Sequence, residues 1–304
     1  MRIGYIGNFL PPYSTENDRR WSLNRLGHEV FAFQENLTDK ETLIEWVNKL
    51  DLLFYSHTHD YEIEGLKEVF LTYRKYGVPT ASIHLDKWAG LEREADIGKE
   101  ATWFTEYIFM ADGSPEAQEL YSKHNLNWFY LPAGVVERDC YITPPNYVDY
   151  PHDIVFTGSK GYHPEYPFRK ELVEWLHSTY GKRFGHYGND GIKVARGHEL
   201  NTIYSTAKIV VGDSCFAGQT NYVSDRYYEV RGRGGFLLHP KVEGVDHVGV
   251  GFYKQGNLDS LKEKIHFFLT NHGERELLRY KGFAHVSSTE TYTQRMREVL
   301  KIVQ

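Results

Sequence analysis

The stretch NYVSDRYYEVRGRGGFLLHP, residues 221–240, sets Arg226, Glu229, Arg231 and Arg233 beside Gly232, Gly234 and Gly235, directly ahead of an apolar strand. A helix opening near Ser224, Asp225 and Arg226 would turn N–H groups and the positive end of its dipole toward a bound anion, and a diphosphate suits such an end. Glu229 on that helix could accept hydrogen bonds from ribose hydroxyls. It reads equally well as a solvated helix residue, with glycines that only permit close helix–strand packing. A second group of the same chemical kind follows the run DIVFTGS. Thr157, Gly158, Ser159 and Lys160 fall where successive N–H groups can form a nest for phosphate oxygens. Arg169 at the next helix start has a planar fork for the same ligand, although taken alone it reads first as a surface residue. Neither G-x-G-x-x-G nor the Walker pattern occurs here, so dinucleotide binding and ATP hydrolysis gain no support.

A third constellation is rich in histidine. FYSHTHDY ends one strand pattern with His57, His59 and Asp60, and SIHLDKW ends the next with His84 and Asp86. Adjacent parallel strands would bring these groups to one carboxyl edge. Such a set can ligate a divalent metal, manganese or magnesium included, as in hydrolases. Alternatively His84 hydrogen-bonds a sugar hydroxyl with no metal. The chain has 15 histidines, so most of them must be incidental. Trp88, Trp103, Tyr162 and Tyr187 could stack on sugars or bases, or simply fill the core.

These groups need a frame to position them. Short apolar runs alternate with amphipathic ones: 2–7, 28–33, 52–57, 79–85, 107–111 and 127–132, then 153–159, 183–188, 208–214 and 235–240. That alternation predicts parallel βαβ units. Between the first two runs, TENDRRWSLNRLG has Ser14 or Thr15 to cap a helix and Gly27 to close it. ERDCYITPPNYVDYPHD contains three prolines and no helical period, so it reads as a linker. The expected organisation is a first doubly wound Rossmann-like domain over 1–140, a linker over 141–152, a second such domain over 153–285, and a closing helix over 286–304. The two domains are expected to face each other across a cleft at their carboxyl strand ends, where open α/β sheets bind ligands.

The chain of 304 residues is 41% hydrophobic, enough for two domains, and its formal charge of −6 argues against a broad nucleic-acid or membrane footprint. The acidic balance disfavours a nucleic-acid acceptor without ruling one out. Two distant cysteines form no knuckle or disulfide framework. The opening MRIGYIGNFLPPYS is neither a leader nor a membrane span. A cytoplasmic protein is expected.

Taken in order, these segments resemble the GT-B glycosyltransferases of the group 1, family 4-like retaining class, in a compact branch that includes spore-coat maturation-type proteins. The likeness runs over most of the chain, through MRIGYIGNF, LGHEV, ASIHLD, FMADGSPEAQELYSKHN and WFYLPAGVV, then VFTGS, RGHELNTIYSTAKIVVGDS, SDRYYEVRGRGGFLL and YTQRMREVL. It implies a sugar moved from a nucleoside diphosphate, UDP or GDP, to a hydroxyl acceptor with no obligatory cofactor. It implies that His84 lies beside the transferred sugar and that Ser159 and Arg169 contact the diphosphate, with Gly158, Lys160 and Arg226 around it. Glu229 is then the ribose carboxylate, and Val194, Arg196 and His198 flank the base. Asn221 stands where the family has a second glutamate, eight positions before Glu229. The family's Gly-Gly loop after the first strand is replaced by NFLPPYSTE, so Asn8, Ser14, Thr15 and Glu16 are expected on the acceptor side together with His57 and His59. The rival readings are a metal-dependent hydrolase, splitting of sugar nucleotides included, built on His57, His59, His84 and Asp86 with Asp60 as a further metal ligand, and a sugar-nucleotide binder without turnover.

Overall fold

The computed structural model describes residues 1–56, 63–161, 165–214 and 218–304. His57, His59, Asp60, Tyr162 and Cys215 lie outside the described residues. The chain divides into two compact units, Met1–Pro132 with Tyr292–Gln304, and Ala133–Thr291.

The first unit begins β1 (Arg2–Gly7), α1 (Thr15–Arg25), β2 (Glu29–Gln34), α2 (Lys40–Glu45), β3 (Leu52–Tyr55) and α3 (Leu66–Lys75). It continues with β4 (Thr80–His84), β5 (Tyr107–Met110), α4 (Pro115–Lys123) and β6 (Trp128–Tyr130). The second unit contains β7 (Ile154–Thr157), α5 (Phe168–Tyr180), β8 (Phe184–Tyr187), α6 (Gly197–Thr206), β9 (Ile209–Val211) and α7 (Arg226–Gly232). Its later elements are β10 (Leu237–Pro240), β11 (Val250–Tyr253), α8 (Leu258–Thr270) and α9 (His272–Thr289), and α10 (Tyr292–Val303) then returns to the first unit.

Both sheets are parallel, in the orders β2-β1-β3-β4-β5-β6 and β11-β10-β9-β7-β8. Each expected strand run overlaps an observed strand. The additional strand is β11, whose VGVGFY sequence is too glycine-rich to stand out as a buried run. In the first unit Ile3, Tyr5, Phe54, Ile83 and Phe109 pack with Met296, Val299 and Leu300 of α10 on one face of the sheet. Leu53, Tyr55, Phe70 and Tyr73 fill the other face. The core of the second unit joins Phe156, Val211 and Leu238 to Leu172, Leu176, Leu261 and Ile265.

The segment read as a linker belongs to the second unit. The Asn201 amide donates to the carbonyls of Asp139 at 2.8 Å and Tyr141 at 2.9 Å, while Thr143 N donates to Ser205 Oγ and Asn146 N to Thr206 Oγ1. Side chains of α6 thus satisfy the backbone of a stretch too proline-rich to pair in a sheet. The units therefore meet at Pro132/Ala133 and Thr291/Tyr292.

One glycine carries much of the packing in the second unit. Gly249 has φ +73°, and a Cβ there would lie 2.1 Å from Gly282 N and 2.5 Å from Leu278 O, both backbone atoms of α9. Gly249→Ala is therefore expected to lower unfolding stability by roughly 3 kcal/mol, measured by denaturant titration. Gly273→Ala, on the same helix but facing open space, should leave stability unchanged or raise it.

Candidate functional site

In the second sheet β8 lies on one side of β7 and β9 on the other, so the strand order reverses between β7 and β9. Ligands of open α/β sheets bind outside the carboxyl ends at such a point. Gly158 follows β7 there with φ +105°, donating its N–H to Tyr187 O at 2.7 Å. A Cβ on Gly158 would sit 2.2 Å from Arg226 Nη2, so the guanidinium lies against the bare Cα, with its Cζ 4.8 Å from the Phe156 ring centroid. Ser159 Oγ accepts from Gly161 N at 3.3 Å and Lys160 N donates to Asp190 Oδ2 at 3.2 Å, so the N–H groups of Gly158, Lys160 and Gly161 are already bonded within the protein and do not form the open nest expected from the sequence.

Arg169, in the first turn of α5, is buried and donates from Nε to Asp213 Oδ2 at 3.4 Å. Tyr166 OH donates to the other oxygen of Asp213 at 3.3 Å. Arg169 is thus a buried ion-pair partner and not the surface residue its position alone suggested. Asp213, wholly buried just past β9, was missed in the sequence; its signal was the polar end of KIVVGDS. Burial pushes its carboxyl up to about 6, against the opposing pull of Arg169 and then Arg226.

The arginines crowded between 226 and 233 divide by role. Asp225 caps α7 by accepting from Arg226 N at 2.7 Å, one residue later than the expected Ser224 start. Arg226 is on the sheet edge. Arg231 is fully buried and donates to Tyr227 O, Asp246 Oδ2 and Val248 O, each at 2.9 Å. Arg233 donates to Asp139 Oδ2 at 2.6 Å, to Asn201 Oδ1 at 2.7 Å and to Glu229 Oε2. Glu229 is therefore an ion-paired residue and not a solvated one. Burial raises its pKa and Arg233 opposes the rise. The glycines do serve packing: a Cβ on Gly232 would lie 2.6 Å from Val135 Cγ1.

Asn221 has φ 50° and donates its N–H to Glu243 O at 2.8 Å, with its amide against Gly244. Asparagine tolerates this left-handed backbone, and the longer glutamate would be strained there. The three base-side candidates lie at the start of α6. Val194 is exposed, Arg196 Nη1 bonds Ala195 O at 3.0 Å, and the His198 ring stacks on Tyr141 at 6.0 Å.

In the first unit, His84 ends β4 but is buried, with Nε2 2.5 Å from Thr102 Oγ1 and its ring stacked on Trp103 at 5.8 Å. Trp88 meets it edge-on at 5.9 Å, so Trp88 and Trp103 are core residues around a histidine. Asp86 pairs with Arg93 at 3.5 Å. Asn8 Oδ1 accepts from Leu10 N and Gln34 Nε2, Ser14 caps α1 through Asn17 N, and Thr15 opens the helix. Glu16 lies over Gly7, where a Cβ would be 2.7 Å from its Cγ, and burial raises its carboxyl pKa. Among the described residues the atoms of Asp246, His285 and Glu290 come within 4.8 Å of one another in the second unit, but Arg231 already pairs with Asp246.

Two outcomes follow from this geometry. Removing Arg233, as in Arg233→Met, leaves Glu229 and Asp139 without their shared counter-charge and should cost about 3–5 kcal/mol in urea unfolding. Asp213 has a folded pKa above its unfolded 3.8, so between pH 3.8 and about 6 the folded state holds the extra proton. Its contribution to stability therefore falls as pH rises through that window. The unfolding free energy of wild type minus that of Asp213→Asn should fall over the same range and level off above it.

Residues 169–301 match a family model described as "Glycosyl transferase-like". No curated protein sequence matches the chain. Solved structures match over nearly its whole length. HepE of Anabaena, in complex with UDP and glucose, aligns at TM-score 0.67 and 10% identity, covering 99% of each chain. T4 phage BGT, in complex with its UDP-glucose substrate, aligns at TM-score 0.59 and 12% identity over 100% of this chain and 99% of that one. Sucrose-phosphate synthase from Thermosynechococcus elongatus gives TM-score 0.59 at 11% identity, over 99% and 98%. With two parallel-sheet units and this structural likeness along its length, the chain has the GT-B fold, and the stretch that matches the glycosyl transferase-like model runs from α5 of the second unit into α10.

Proposed function

We propose that this protein is a glycosyltransferase that moves a sugar from a nucleoside diphosphate to a hydroxyl acceptor. The observation that carries the reading is the Arg226 guanidinium laid against the bare Cα of Gly158 at the β7/β9 switch point, beside the buried Arg169–Asp213 pair. A guanidinium placed this way supplies fixed positive charge where the leaving diphosphate gains negative charge, which is the main way a protein lowers such a barrier. The C1–O bond to the diphosphate breaks, a C1–O bond to the acceptor forms, and the acceptor proton passes to the released phosphate oxygen. That path needs no protein base and keeps the anomeric configuration, as in the group 1 retaining class and its compact spore-maturation branch.

Lys160 and Ser159 join Arg226 and Arg169 at the diphosphate. Glu229, with one oxygen held by Arg233, has its other oxygen for the ribose, and Val194, Arg196 and His198 take the base side. Asn221 stands on the loop leading to α7 and takes a place near the donor sugar, and His84 belongs to the sugar side of the same reaction. UDP is the favoured nucleotide because HepE and BGT were solved with UDP or UDP-glucose. No described helix is long and apolar enough to cross a membrane, which fits a cytoplasmic place of work.

The test is a thermal-shift and hydrolysis screen against UDP-, GDP-, ADP-, CDP- and TDP-sugars, each with manganese and with a chelator. One nucleotide should stabilise the protein, and Arg226→Ala should weaken that binding about tenfold to a hundredfold, or roughly 1.4–3 kcal/mol. Glu229→Gln should weaken it less. Equal binding by wild type and Arg226→Ala, or stabilisation by metal alone, would overturn the reading.

A further inference from the structure

The first sheet has the same switch as the second. Its order β2-β1-β3-β4-β5-β6 reverses between β1 and β3, as the second reverses between β7 and β9. In each unit the helix after the first strand sends an arginine to the residue just beyond the third strand. In the second unit Arg169 of α5 meets Asp213, two residues past β9, and the buried guanidinium is neutralised. In the first unit Arg19 of α1 meets Ser56, the residue after β3, at 2.9 Å, and Tyr5 OH of β1 at 3.4 Å. The counterpart of the carboxylate is a hydroxyl.

Arg19 is consequently a buried cation with neutral partners. It is 2% exposed, its Nε and Nη2 are buried without a hydrogen-bond partner, and its Cζ lies 5.8 Å from the Tyr292 ring centroid. Among the described residues no carboxylate comes within ion-pair distance of it. Glu16, one turn earlier, makes no ion pair with it and acts only through its field, which favours the charged guanidinium, while burial raises the Glu16 pKa and Arg19 opposes that rise. A buried guanidinium with two donor nitrogens unused is unfavourable unless an anion joins it. The place is also the one where open α/β sheets take their ligands.

We propose that the carboxyl edge between β1 and β3 is an oxyanion site whose guanidinium is Arg19, and that the sugar acceptor carries a phosphate or carboxylate group. The acceptor assignment rests on the transferase reading above, whereas the anion site stands on Arg19 and Ser56 alone. Recognition would use the planar fork of Arg19 with the Ser56 hydroxyl beside it.

Two variants of the full chain separate the cases. Ser56→Asp supplies the carboxylate that Asp213 gives Arg169, and Arg19→Met removes the buried charge while filling its volume. Inorganic phosphate, added with UDP saturating, should raise the melting temperature of wild type, and both variants should lose that shift. Each variant should also melt at or above the ligand-free wild type, because the uncompensated charge is gone. Titration with a hexose 6-phosphate, the matching hexuronate and the neutral hexose then names the oxyanion. The favoured acid should bind about tenfold or more tighter than the neutral sugar, and that preference should vanish in Arg19→Met. No phosphate shift in wild type, or the same shift in both variants, would overturn the site. The UDP-induced shift, read in all three proteins, tests the transferase reading separately. Its absence alongside a phosphate shift that depends on Arg19 would leave the anion site supported and remove the acceptor assignment.

Discussion

One buried guanidinium, that of Arg233, fixes the geometry on which the second unit depends. It donates to Asp139, to Asn201 on α6 and to Glu229 on α7, joining three stretches that are far apart in sequence. Two like-charged carboxylates can lie this close and largely buried only because the one guanidinium between them pairs with both. The arrangement holds the carboxylate of Glu229 by one oxygen, fixes the direction of α7, and so sets where Arg226 meets the Gly158 turn. The proline-rich stretch from Ala133 onward is drawn into the unit by the same contacts.

The two sheet edges use similar parts in different states of electrical balance. At the second, Asp213 and Arg169 are both buried and largely cancel, which leaves Arg226 as the cation set directly against the glycine turn. At the first, Arg19 faces hydroxyls. A repeated topology thus places a cation at each switch point, and the residue ending the third-strand region decides whether that charge is already spent. The difference is a single carboxylate.

Much of the fold was legible because buried parallel strands are continuous apolar runs, and ten of them stand between helix-length segments. β11 was not, since glycines interrupt its run. The candidate site was legible where one local stretch carries its residues: Gly158, Arg226 and Glu229 each lie in a recognisable turn or helix start. What could not be read were pairings made across the sequence. Asp139 and Arg233 are 94 residues apart, and no periodicity announces that they meet. Arg19 was hidden for a related reason. It lies within TENDRRWSLNR, a helix polar but for Trp21 and Leu23, yet Asp18, Arg19 and Ser22 are buried along with Leu23. A polar pattern reads as a solvated face, and here it packs beneath α10.

The return of α10 to the first unit has a consequence for how the protein is made. Ala133–Thr291 is one uninterrupted stretch, so it can fold as soon as it leaves the ribosome. The first unit is synthesised earlier but lacks Met296, Val299 and Leu300 over one face of its sheet until those residues emerge. During translation of the second unit that face has Leu23 of α1 on it but not α10, so part of its apolar surface stays open to water. The unit begun first is therefore the one completed last.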